Sequence, residues 1–283
     1  MVALPKAAGM DWGMEDRLSR VIRPGGTVML AVDHGYFQGP TTGLESPRKA
    51  IAPLIPHADS LMLTRGLLRT SVQPGSGVPI VLRVSGGTSV LKELSDEGVT
   101  TSMEEAVRLG ASAVAVSIFV GSENEKQTLL NLSTLVDEGE RAGMPVLAVT
   151  AVGHEMERDS RYLGLACRIA AELGARVVKT YYCEGFRKVV DSCPVPVVIA
   201  GGKKIPERDA LALSAKAIAE GAAGVDMGRN IFQSADPVGM IKAVGAVVHD
   251  RLGVDEAYGV FLDHARGLGI APEAEGGGPK GRS

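Results

Sequence analysis

Residues 173–182 read LGARVVKTYY: Leu173 and Gly174, the small residue Ala175, then an apolar run from Val177 to Tyr182 that carries one charge, Lys179. Glycine takes the left-handed conformation that closes a helix. A short, nearly continuous run rich in valine suits a parallel strand covered on both faces. The stretch is therefore the junction of an ending helix and a starting strand. The same junction recurs as LGAS (109–112) before Ala113 and as EGAAG (220–224) before Val225.

Working outward, eight such runs follow one another. They are Thr27–Val32, Ser60–Leu63, Pro79–Val84, Ala113–Phe119, Pro145–Val152, Arg176–Tyr182, Val195–Ala200 and Gly224–Met227. Helix-like stretches lie between them: Met103–Leu109 behind the N-cap Ser102 with Glu105 three residues on, Ser122–Ala142, Ser160–Leu173, Pro206–Glu220 and Pro237–His249. Glycines 110, 143, 174 and 221 stand where helices should end. Strands alternating with helices in this number predict an α/β fold, the (β/α)8 TIM barrel, over about residues 27–250. The rival, a doubly wound open sheet, usually carries a Gly-rich dinucleotide loop after its first strand. Here that strand runs into DHGYFQG, which is not such a loop. Asp11–Arg20 and Asp255–Arg266 read as short N-terminal and C-terminal helical extensions, the first closing the barrel's bottom. The whole chain, 1–283, is expected to be one barrel domain, with a disordered tail over 268–283.

Composition is that of an ordinary globular chain, 45% hydrophobic and 22% charged. A net charge of −3 gives no field to attract nucleic acid or an anionic membrane, so an anion must be held by a local site. Cys167, Cys183 and Cys193 are an odd set without paired spacing, which points away from a disulfide framework or zinc cluster and toward a cytoplasmic location. Neither a signal peptide nor a membrane span is read from the sequence. Metal-ligand motifs are absent too, so no metal and no bound cofactor are expected.

Chemistry in a barrel sits at the C-terminal strand ends. The polar residues there are Asp33, His34, Arg65, Arg83, Ser85, Ser117, Thr150, Lys179, Tyr181, Lys203, Lys204, Arg229 and Asn230. Lys179 lies within an apolar strand, where an ammonium loses hydration. A neutral lysine amine attacks carbonyls to form an iminium, an electron sink for an adjacent carbanion. The alternative is a lysine that only pairs with a carboxylate such as Asp33 or Asp226. Asp33 either shuttles protons or caps the following loop. His34 is an acid/base or a loop hydrogen-bonder. Tyr181 shares parity with Lys179 and so faces the same way. Gly201-Gly202 after strand seven and Gly228-Arg229 after strand eight sit where barrels commonly bind phosphate, aided by a helix N-terminus; otherwise the glycines only make tight turns. Of Lys203 and Lys204, at most one should reach that phosphate. His57 and His249 read as structural.

The segments MLAVDHGYFQGPTTGLE, LTRGLLR, VVKTYY, VPVVIAGGKK and GVDMGRNIFQS resemble the class I, Schiff-base aldolase superfamily of deoxyribose-phosphate and archaeal fructose-bisphosphate aldolases, and within it the autoinducer-2-type thiolases. The likeness runs from DWGMEDRLSR to the last helix. It implies Lys179 as the Schiff-base nucleophile, Asp33 in proton transfer, phosphate held by Gly201, Gly202, Gly228 and Arg229, and a homo-oligomer, often a decamer. It further implies a small phosphorylated ketone as substrate and, in the thiolase branch, acyl transfer to coenzyme A. One departure stands out. The related aldolases carry a tyrosine in a Y-P-R-G motif after strand five, as general acid. Here residues 150–159 read TAVGHEMERD, with no tyrosine. That favours a thiolase or a specialised aldolase. The alternatives are a biosynthetic aldolase joining dihydroxyacetone phosphate to an aldehyde such as aspartate semialdehyde, and a non-catalytic phosphosugar-binding barrel.

Overall fold

In the computed structural model, which describes residues 11–151 and 158–270, eight parallel strands close into a barrel. They are β1 (Thr27–Ala31), β2 (Ser60–Thr64), β3 (Ile80–Arg83), β4 (Ala113–Ile118), β5 (Val146–Thr150), β6 (Val177–Tyr181), β7 (Val197–Ala200) and β8 (Gly224–Met227). Each pairs with its sequence neighbours, and β8 pairs back onto β1 with Met29 opposite Asp226. Helices follow the strands and cover the outside. The expected (β/α)8 architecture is the one observed.

Alternation along the strands sorts the apolar residues into two layers. Val28, Leu30, Leu61, Leu63, Leu82, Val114, Val116, Val178 and Ile199 point outward and pack under the helices. Met29, Ala31, Met62, Val81, Ala113, Ala115, Leu147, Val177 and Val198 point inward and form a separate cluster. Leu18, Val21 and Ile22, from and just after the helix Trp12–Val21, belong to that inner cluster. The N-terminal helix therefore plugs the barrel floor, as its position in the sequence suggested. Asp11 caps it, accepting from the Met14 N–H at 2.7 Å.

Where boundaries differ from the sequence reading, proline explains several. Strands β3, β5 and β7 start one residue after Pro79, Pro145 and Pro196. A proline has no N–H for the ladder, but all three carbonyls still accept from the neighbouring strand. The helix expected from Ser122 starts at Glu125, and the C-terminal helix spans Val254–Gly267. Ser102 caps as expected, accepting from the Glu105 N–H at 3.2 Å. Gly110, Gly143, Gly174 and Gly221 all have positive φ, between 63° and 104°. The elements the sequence reading did not name include the helices Arg65–Ser71 and Phe186–Ser192 and an antiparallel hairpin pairing Ser85–Gly86 with Gly98–Val99 above β3. The tail expectation falls mostly on residues 271–283, and the end of the fifth strand run on Val152; both lie outside the described residues. Among the described residues no helix is long and apolar enough to cross a membrane.

The floor plug is remote from the C-terminal strand ends. Ile22→Ala is expected to lower the unfolding free energy by about 2–5 kcal/mol, as for a fully buried Ile truncated to Ala, read from urea denaturation followed by circular dichroism.

Candidate functional site

Going up each strand, the inward parity that is apolar at the floor turns polar at the C-terminal end. Met29 and Ala31 lead to Asp33, Val81 to Arg83, Ala115 to Ser117, Val177 to Lys179, and Gly224 to Asp226. All five polar residues are buried, and all line one cavity of about 230 Å³. Register ties them together. Ser117 pairs with Val149, Val149 with Lys179, and Lys179 with Val198, so Ser117 and Lys179 share an interior layer.

The Lys179 Nζ lies 2.9 Å from Asp226 Oδ2. Of the two carboxylates left open as its partner, Asp226 is the one in contact. Burial opposes ionisation of Asp226 and outweighs the pull of Lys179, so its pKa rises to about 6. Asp33 instead accepts from Arg83 Nε at 2.9 Å. Burial works against its charge as well, but Arg83 and then Lys179 prevail and hold its pKa below the usual carboxylate value. Arg83 Nη1 donates to Ser117 Oγ at 2.8 Å. Behind this row, Glu97 accepts from Ser85 Oγ at 2.6 Å and from the Tyr36 hydroxyl at 2.7 Å.

His34 lines the cavity with its ring edge-on to Phe232. Burial pushes its pKa down to about 4, so the imidazole is neutral near pH 7. Its Nδ1 is buried without a hydrogen-bond partner among the described residues. Tyr181 faces the cavity as its parity required, under the guanidinium of Arg158 at 3.8 Å. Tyr182 points the other way and donates to Glu220.

Gly201, Gly202, Gly228 and Arg229 form one wall of the cavity. Asn230, fully buried, stitches the seventh and eighth strand ends together by donating to the Gly201 carbonyl at 2.7 Å and accepting from the Ile205 N–H at 2.9 Å. Gly202 sits at φ 70°, a left-handed turn open to glycine. Arg229 Nε is buried and without a partner among the described residues. Lys203 is exposed and does not line the cavity, while Lys204 is bound to Glu207 at 2.8 Å. Of the strand-end residues, Asp33, His34, Arg83, Ser117, Thr150, Lys179, Tyr181 and Arg229 meet in the cavity. Lys203 and Lys204 do not line it, because the chain leaves it after the turn at Gly202; Arg65 and Ser85 line a separate pocket, and Asn230 does not line the cavity. His249 is structural, 3.0 Å from Asp59 at the barrel's other end. Arg83 and Ser117 had no assigned role in the sequence, and Asp226 only that of a possible ion-pair partner, although all three end inward-facing rows. Tyr36 and Glu97 carried no signal. Most of the stretch 150–159, where the aldolase tyrosine would fall, lies outside the described residues.

The pattern of DeoC/LacD family aldolases matches residues 27–234. A relative from Escherichia coli (strain K12), 3-hydroxy-5-phosphonooxypentane-2,4-dione thiolase, is 58% identical over 262 residues, 92% of this chain and 90% of that one. Its namesake from Salmonella typhimurium (strain LT2) is 56% identical over 265 residues, 93% of this chain and 91% of that one. Among solved structures, an archaeal fructose 1,6-bisphosphate aldolase superposes with a TM-score of 0.76 at 28% identity, over 84% of this chain and 99% of its own. Another archaeal aldolase structure, with the catalytic Lys covalently bound to the carbinolamine intermediate of the substrate, gives 0.75 at 27% identity, over 83% of this chain and 99% of its own.

The glycine wall has little slack. A Cβ on Gly228 would stand 2.2 Å from the Ala31 carbonyl oxygen and 2.4 Å from His34 Cε1, whereas one on Gly35 meets nothing within 4 Å. Gly228→Ala should destabilise the protein by about 1–3 kcal/mol, as overpacking does. Gly35→Ala should change stability by less than about 1 kcal/mol. Paired urea titrations check both.

Proposed function

Since the chain belongs to the DeoC/LacD aldolase family, we propose that it is a lysine-dependent thiolase that cleaves a small phosphorylated 2,4-dione and passes the acyl group to coenzyme A. That it is an enzyme of the aldolase or thiolase type follows from the family and its relatives. The observation that carries the lysine-dependent reading is Lys179, inside the barrel with Nζ 2.9 Å from a carboxylate and in one cavity with the glycine wall; the thiolase branch is supported by the 58% identity to the dione thiolase.

The roles follow from the geometry. Backbone N–H groups at Gly201, Gly202 and Gly228, with the unsatisfied Nε of Arg229, hold the phosphate. Asp226, ionised above about pH 6, takes a proton from Lys179, and the amine adds to the ketone nearest the phosphate. Loss of water gives the iminium. Asp33, kept ionised by Arg83, serves the proton transfers at the substrate carbon. His34, neutral near pH 7, offers a hydrogen bond, not a charge. Tyr181 walls the same face. The lack of a tyrosine in residues 150–159 weighs against ordinary aldol cleavage. The cavity, about 230 Å³, suits a small ketone phosphate; drug-sized ligands fill roughly 300–1,000 Å³. Only the thiol end of coenzyme A would enter. The same assignment supports an iminium-forming enzyme and not a sugar-phosphate sensor.

Borohydride reduction in the presence of dihydroxyacetone phosphate should add the reduced ketose phosphate to Lys179, read by peptide mass spectrometry. No added mass at Lys179 would sink the covalent mechanism. The pH profile gives a second check. As pH falls through about 6, Asp226 becomes protonated and stops accepting from Lys179, so kcat/KM should drop on the acid side of about pH 6. Asp226→Asn should lower the rate and remove that limb; an unchanged limb would assign it to another group.

A further inference from the structure

Among the polar side chains of the cavity without a chemical task in the scheme above, two are bonded to each other. Arg83 and Ser117 stand on β3 and β4, both buried, and both line the wall of the cavity away from the glycine loops. A guanidinium has five N–H donors. Among the described residues Arg83 commits two of them, Nε to Asp33 and Nη1 to Ser117. Because Ser117 Oγ accepts from Arg83, its own O–H is left to donate. Among the described residues that proton has no hydrogen-bond acceptor. Ser117 is further fixed by its backbone, whose N–H donates to Ser85 Oγ at 3.0 Å. Unspent donors on buried, rigid strand ends are what an oxyanion requires.

The chemistry supplies the oxyanion. This step rests on the reading of the chain as a dione thiolase. In a 3-hydroxy-5-phosphonooxypentane-2,4-dione the C4 carbonyl, next to the phosphate-bearing carbon, becomes the iminium. The C2 carbonyl does not. A coenzyme A thiolate adds to C2, and the C2=O electron pair moves onto oxygen. When that tetrahedral adduct collapses, the C2–C3 bond breaks and its electron pair flows into the C4 iminium, giving an enamine. The acetyl group leaves as its thioester. The enamine takes a proton at C3, the one the thiol gave up, and hydrolysis frees dihydroxyacetone phosphate and Lys179. Aldol cleavage has no such adduct; there a base removes a hydroxyl proton and no negative charge builds on a second carbonyl oxygen.

We infer that Ser117 and Arg83 clamp the C2 oxygen of the dione and stabilise the negative charge that thiol addition places there. Placement agrees. Ser117 and Lys179 occupy one interior layer two strands apart, roughly 10 Å at the backbone given about 4.8 Å per strand step. The Lys179 Nζ leans the other way, onto Asp226 of β8, so C4 stands on that side and the acyl end of the substrate extends across the cavity toward β3 and β4. The glycine wall fixes the phosphate on the far side of Lys179, on β7 and β8, so the molecule is stretched from β8 toward β4 with its reacting carbons in order.

Arg83 also holds Asp33, so Ser117 is the cleaner probe. For Ser117→Ala, kcat for thiolysis of the phosphorylated dione by coenzyme A should fall about 100–1,000-fold, as for loss of one oxyanion donor. KM for the dione should stay within about threefold, because the interaction strengthens only in the transition state. Borohydride trapping at Lys179 and solvent-deuterium exchange into dihydroxyacetone phosphate use no second carbonyl and should match the unmutated enzyme. Ser117→Thr, which keeps the hydroxyl, should recover most of the rate. Wild-type thiolysis by Ser117→Ala overturns the clamp, and so does loss of deuterium exchange in step with thiolysis, which would make Ser117 a support of Lys179 or of the fold. If the unmutated enzyme traps no adduct, the imine reading fails and the clamp with it. If it traps and thiolyses while Ser117→Ala matches it, the clamp alone fails.

Discussion

Two ion pairs, Lys179 with Asp226 and Arg83 with Asp33, put four charges into a barrel interior whose floor is sealed by Leu18, Val21 and Ile22. An isolated charge there would be neutralised or drive the structure apart. Breaking one member of a buried pair typically costs about 3–5 kcal/mol. The pairs therefore stand or fall as a unit, and they fix each other's position. Arg83 cannot leave Asp33 without exposing a carboxylate to an apolar wall, and it carries Ser117 with it through a second bond. Their contribution to net stability is small or negative, since a well-packed apolar interior would do as well. What they provide is a preset electrostatic pattern, alternating in sign across the cavity, in which proton transfers need little reorganisation.

The two carboxylates are pushed in opposite directions by that pattern. Asp33 meets a guanidinium through a directed hydrogen bond and stays ionised. Asp226 is equally buried but has only the lysine beside it, and its Oδ1 has no partner among the described residues. In the proposed scheme the first is a fixed anion and the second the group that exchanges protons with Lys179. A site that must both neutralise an amine and keep a standing charge near the substrate needs two such environments a few side chains apart.

Much of this was legible in the sequence because parallel strands advertise themselves. Eight apolar runs, those around Val28, Val81, Val114, Val178 and Val198 among them, located the eight strands, and parity alone put Tyr181 with Lys179 and sent Tyr182 outward. The partner of Lys179 was not legible. Asp33 and Asp226 both end an interior row, and only barrel closure, β8 onto β1, decides which stands beside the lysine. Lys203 looked like a phosphate ligand because it follows two glycines, yet the left-handed turn at Gly202 leaves it in solvent. Glu97 was beyond reach for another reason. It enters the site from a hairpin of two-residue strands, too short to show any period, and its contacts to Ser85 and Tyr36 span 12 and 61 positions of sequence.

Thiolysis and aldol cleavage share the lysine, the phosphate wall and the enamine, so those parts cannot tell them apart. They differ in where charge appears just before the carbon–carbon bond breaks. Aldol cleavage puts the demand on a base at a hydroxyl group; thiolysis puts it on donors at a carbonyl oxygen. In this barrel the stretch after strand five offers no tyrosine, while strands three and four carry an arginine and a serine with N–H and O–H groups still to give. The same fold can thus be turned from one reaction to the other by moving polar groups from one strand end to another, with the lysine left in place. On the proposed clamp, the strand-three and strand-four ends, more than the lysine's position, select the reaction in this barrel.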